Sequence, residues 1–111
     1  MNRCRFKTVA GVAAILFLSA SANAQAPAQP GRDKARACAA CHGPLGIATL
    51  PIAPNLAGQP ESYLVEQLKA YRSGKRVNDM MSLIAKPLGD DDIAQLAAWY
   101  ASIGVEAREK P

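Results

Sequence analysis

Cys38-Ala39-Ala40-Cys41-His42 sets two thiols three residues apart, with an imidazole directly after the second. On a helical turn, positions i, i+3 and i+4 share one side, so all three side chains can meet one flat ligand. Thiols that add across two vinyl groups of a haem, beside an imidazole that reaches the iron, need this spacing, and covalent attachment of a c-type haem is the chemistry it indicates. Three other uses of these residues compete on chemical grounds. A thioredoxin-like redox pair belongs in a βαβ setting, and no segment here shows strand alternation. A zinc site needs four ligands, whereas His42 is the only histidine and Cys4 the only further cysteine. A Cys38–Cys41 disulfide would close too tight a loop to stabilise much, and it leaves His42 unexplained.

The elements that must position this cluster read as helices. Arg32 to Cys41 contains helix formers with no internal Gly or Pro, and Gly43-Pro44 ends it. From Gly43 to Gly58 runs a long loop rich in proline and glycine, of the kind that wraps around something. Pro60 suits the start of a second helix, with Leu64, Leu68 and Tyr71 on one face and Gly74 after its end. A further loop, Lys75 to Gly89, holds Met80, Met81 and Pro87. The last helix spans about Asp90 to Ser102, with Ile93, Leu96, Ala97 and Tyr100 on one face and three aspartates at its positive end. The fold class is all-α, with three main helices and a large irregular fraction.

The chain has 111 residues, so it holds one small domain and excludes a multidomain enzyme. Apolar residues make up 50% and aromatics only 5%, which leaves a thin core of Ala, Leu, Ile and Val. The net charge of +4 raises the question of an anionic partner. Arg3, Arg5 and Lys7, the apolar run Val9 to Leu18 and Ala22-Asn23-Ala24 together read as a cleaved export signal over residues 1–24. The apolar run is far shorter than the roughly 20 residues that span a bilayer, so no stable membrane insertion is expected once the signal is cut. Cys4 lies before that run and leaves with it. The remaining chain carries 10 basic against 9 acidic residues, and a nucleic-acid role loses its support. Residues 25–30 read as a flexible leader, 31–104 as the domain and 105–111 as a tail.

Five ordered motifs carry a resemblance: Cys-Ala-Ala-Cys-His-Gly at 38–43, Pro-Asn-Leu-Ala-Gly-Gln at 54–59, Tyr-Leu-Val-Glu-Gln-Leu at 63–68, Met-Met-Ser at 80–82 and Leu-Gly-Asp-Asp-Asp-Ile at 88–93. From Gly31 to Ile103 the chain resembles the small class I cytochromes c of bacteria, most of all the single-haem carriers and the half-domains of the two-haem periplasmic proteins. The resemblance implies the cytochrome c fold around one haem c bound through Cys38 and Cys41. It makes His42 the proximal iron ligand, with the carbonyl of Pro54 accepting its other ring N–H, as ligating histidines generally require. The opposite side of the iron suits a thioether. Met80 and Met81 are both available, and counting back from Leu88 the resemblance puts Met81 at the ligand position.

Two filled axial positions leave one-electron transfer as the chemistry, not catalysis at the iron. The function expected is a periplasmic electron carrier between a redox protein donor and a redox protein acceptor. A haem subunit bound permanently to a redox complex is the alternative; a peroxidase or gas sensor is disfavoured because no second histidine exists to act as distal base. Lys69, Arg72, Lys75 and Arg76 are expected to ring the haem edge and steer an acidic partner. Tyr63, Tyr71, Trp99 and Tyr100 are expected in the core and haem pocket. Gly89 makes a weaker N-cap than the serine common in relatives, and the alanine-only apolar face of the first helix predicts loose docking on the last.

Overall fold

Ile93, Leu96, Ala97 and Tyr100 are all buried, and their spacing lays them along one stripe of a helix running from Asp90 to Ala101. The computed structural model describes residues 28–109, so the expected export signal lies outside it. Within that span five helices occur in order: α1 Ala28–Ala35, α2 Ala39–His42, α3 Glu61–Ser73, α4 Asp79–Ala85 and α5 Asp90–Ala101. There is no strand among the described residues, and none of their helices is long and apolar enough to cross a membrane. Both α1 and α3 pack on α5, and α4 packs on α3. Ala35 and Leu64 join Leu96, Ala97 and Tyr100 in one cluster, flanked by half-buried Leu56, Val65, Leu68, Leu88 and Trp99.

Helices α3 and α5 begin and end within a residue of their sequence signals. Pro60 stands at the N-cap of α3 and Gly74 follows its end. Three aspartates occupy the first turn of α5, where the macrodipole favours them. Gly89 offers no side chain to cap α5, but its own N–H donates to Asp92 Oδ2 at 3.0 Å, which supplies half of a capping box.

Three expectations are corrected. The segment read as one helix over 32–41 is two: α1 starts at Ala28 and stops at Ala35, and a turn through Cys38 separates it from α2. Its first turn therefore includes Ala28 to Pro30, the end of the expected leader, because proline is tolerated where helical N–H groups have no partner anyway. The 75–89 loop contains a helix, α4, capped by Asn78, whose Oδ1 accepts from the N–H of both Met80 and Met81. Docking of α1 is close, not loose. A Cβ on the buried Gly31 would overlap the Gln95 carbonyl oxygen and lie 2.8 Å from Trp99 Cβ. Small residues bring the two backbones together where larger ones would hold them apart.

Candidate functional site

The Cys-His segment is shaped by its own backbone. Cys38 N–H donates to Ala35 O at 3.0 Å, His42 N–H to Cys38 O at 3.0 Å and Gly43 N–H to Ala39 O at 2.9 Å. One tight turn thus carries Cys38, Cys41 and His42 together. Both thiols are half-buried and unpaired with each other. Burial pushes the Cys38 thiol up, and Tyr100, beside it, opposes that shift. The Tyr100 phenol is itself raised, first by burial and then by Cys38. Its hydroxyl is buried next to Cys38 but falls short of a well-aligned hydrogen bond.

His42 is only 6% exposed, and its Nδ1 lies 2.8 Å from the carbonyl oxygen of Pro54. A carbonyl can only accept, so Nδ1 carries the proton and donates. That leaves Nε2 as the lone-pair nitrogen, the form a metal ligand requires. The loop that delivers Pro54 is folded on itself. Leu56 and Ala57 N–H groups donate to Gly46 O at 2.7 and 3.1 Å, and Ala48 N–H donates to Asn55 Oδ1 at 2.7 Å. Gly46 has φ 77°, and a Cβ there would come within 2.7 Å of the Tyr100 ring, so glycine serves both the turn and the close approach. Asn55 is a positioning residue that the reading of the sequence missed. Its signal was available, since it directly follows Pro54 in the Pro-Asn-Leu motif.

The residues present fit a haem. The donor set is two thiols and one orientated imidazole. Leu45, Ile47, Leu50 and Ile52 follow the Cys-His turn, and Val77, Met80, Leu83 and Ile84 lie in or just before α4; all eight are exposed. A small domain does not normally leave so many large apolar side chains in water, and a macrocycle is a partner able to cover them. Met81 is half-buried, whereas Met80 is 58% exposed. Consecutive helical residues point about 100° apart, so the two methionines of α4 cannot face one ligand equally.

The basic cluster proves largely self-paired. Arg72 Nη1 donates to Leu88 O at 2.9 Å and Nη2 to Asp90 Oδ1 at 2.7 Å. Arg72, then Lys69 at 4.0 Å from the same carboxylate, hold Asp90 below the usual carboxylate range. Arg76 donates to Gln67 Oε1 at 2.5 Å and stacks 4.7 Å from the centre of the Tyr71 ring. The expected steering patch is therefore partly neutralised inside the molecule. Among the aromatics, Tyr100 and Trp99 are in or against the core, whereas Tyr63 is 44% exposed and lies outside it.

An all-helical chain wrapped around an orientated Cys-x-x-Cys-His turn defines a covalent haem protein of the electron-transfer class. The Cytochrome c family model matches residues 28–103, and the chain belongs to that family, with the cytochrome c fold and one covalently attached haem c. It is 46% identical over 78 residues to cytochrome c-554(548) of Halomonas halodenitrificans, covering 68% of this chain and 94% of that protein. It is 43% identical over 70 residues to the thiosulfate dehydrogenase electron acceptor of Stutzerimonas stutzeri, covering 60% of this chain and 32% of that one. The structure of cytochrome c4 from Acidithiobacillus ferrooxidans superposes with a TM-score of 0.68 at 33% identity, covering 75% of this chain and 53% of that chain. The chain thus spans nearly all of the first relative but about a third and a half of the other two.

Proposed function

We propose that this protein is an exported, periplasmic one-electron carrier whose haem is held by Cys38 and Cys41 and ligated by His42 and Met81. The observation that carries the reading is the His42 Nδ1–Pro54 O hydrogen bond, which fixes the ring's tautomer and leaves Nε2 as the donor. The bound haem supplies a single reversible electron. The protein's share is to hold that group still. Pro54 orientates His42, and Asn55 and Gly46 keep the Pro54 carbonyl in place. Asn78 shapes the turn that bears Met80 and Met81, and the place of Met81 counted back from the Leu88 that opens the Leu-Gly-Asp motif supports it over Met80 as the second ligand. The short basic start, apolar run and small-residue site of residues 1–24 support export. The relative known as an electron acceptor for thiosulfate dehydrogenase supports redox proteins as donor and acceptor.

The ferric protein should show the weak far-red sulfur-to-iron absorption band. Met80→Ala should keep that band and Met81→Ala should lose it. A band that survives Met81→Ala refutes the ligand assignment.

A further inference from the structure

Helix α4 has seven residues, too few to be stable alone, so something must seat it. Its front end is closed locally. Asn78 Oδ1 takes the Met80 and Met81 N–H groups, Ser82 N–H donates to Asn78 O at 2.9 Å, and Asn78 N–H donates to Ser82 Oγ at 3.1 Å. Those bonds shape α4 but fasten it to nothing else. Its rear end is different. Leu88 N–H donates back to Ala85 O at 3.1 Å, so Leu88 is tied to the last turn, whose Ala85 is fully buried. The Leu88 carbonyl in turn accepts from Arg72 Nη1, while Arg72 Nη2 holds Asp90 at the start of α5. Among the described residues, Arg72 is the one side chain from outside that hydrogen-bonds any part of segment 78–88.

We propose that Arg72 is a positioning residue for Met81: from the last turn of α3 its guanidinium fork pins Leu88 to Asp90, seats α4, and so sets how firmly Met81 stays on the iron. This rests on Met81 being the ligand. The fork geometry matters because the two acceptors, a backbone carbonyl and a carboxylate, are reached at once by two nitrogens of one planar group. Arg72 is only half-buried, yet both bonds are short, and they join points 16 and 18 residues away in sequence.

The test is an imidazole titration of the ferric, haem-loaded full chain, followed by loss of the far-red band. A hydrogen bond to a charged group is strong enough that losing it should raise the apparent imidazole affinity of Arg72→Gln about tenfold or more. Arg72→Lys keeps the charge but not the fork and should show a smaller rise, about threefold. It carries the test if Arg72→Gln fails to load haem. Asp90→Asn keeps the Leu88 bond but takes away the carboxylate that anchors the other arm of the fork, and should show a similarly small rise, about threefold. Gly31→Ala, which disturbs the packing of α1 on α5 away from α4, should leave the affinity unchanged. Affinities of both Arg72 variants within twofold of wild type, or an equal rise in Gly31→Ala, overturn the proposal. Absence of the band in wild type, or its survival in Met81→Ala, would instead overturn the ligand reading beneath it.

Discussion

Gly31→Ala separates a propensity argument from a packing argument, because the two predict opposite signs. In an ordinary helix interior the change would stabilise by about 1 kcal/mol. Here the added methyl meets the Gln95 carbonyl oxygen and Trp99 Cβ, both fixed in α5, and no flexible side-chain end can swing aside. The helices must part, and overpacking of this kind costs about 1 to 3 kcal/mol. Parting them also loosens Ala35, the other buried contact of α1 with the core. After the propensity gain, a net loss of up to about 2 kcal/mol remains, which lowers Tm by up to about 15 °C in a domain of this size. The assay is thermal and urea unfolding of the haem-loaded protein by circular dichroism, with Gly104→Ala as control, since a methyl there meets nothing within 4 Å. A Gly31→Ala protein that melts at or above wild type, with Gly104→Ala near wild type, would refute the close-approach reasoning.

Acid should weaken the seam between α1 and α5. Asp92 is held below the usual carboxylate range, first by Lys34 and then by the Gly89 N–H, so its stabilisation is complete above the ordinary value of 3.8 and is lost as pH falls through the lowered one. Asp92→Asn should accordingly cut the urea midpoint near neutral pH while flattening its decline in acid; an unchanged acid limb would count against the pairing. Ile93→Ala, at a position with no exposure, should cost about 2 to 5 kcal/mol in urea unfolding. A loss under 1 kcal/mol would mean that the site collapses around the deletion.

The attachment turn was legible in the sequence because its chemistry depends on local spacing, and α3 and α5 were legible because Pro60, Gly74 and the aspartate run mark their ends. Helix α4 was missed although Asn78 before it and Pro87 after it are ordinary start and stop signals; the intervening Met-Met-Ser-Leu-Ile-Ala run is too short to show a period. The break after Ala35 was not legible, because an alanine-rich stretch is equally content in one helix or two. Packing of Gly31 and Ala35 on α5, together with the turn at Cys38, decides it. Arg72 looked like part of a solvated basic face because its partners, Leu88 and Asp90, are remote in sequence.

Tyr100 joins parts of the chain that look separate in a diagram of helices. Its ring lies against Gly46, its hydroxyl is beside Cys38, and its carbonyl accepts the N–H of Gly58 at 2.9 Å and of Ile103 at 3.3 Å. The 43–58 segment has almost no regular structure, yet both of its ends are fastened to the most buried helix. It therefore opens only when α5 opens. In native-state hydrogen exchange the amides of Leu56, Ala57 and Gly58 should share the protection of the α5 core, so that loop and helix form a single cooperative unit.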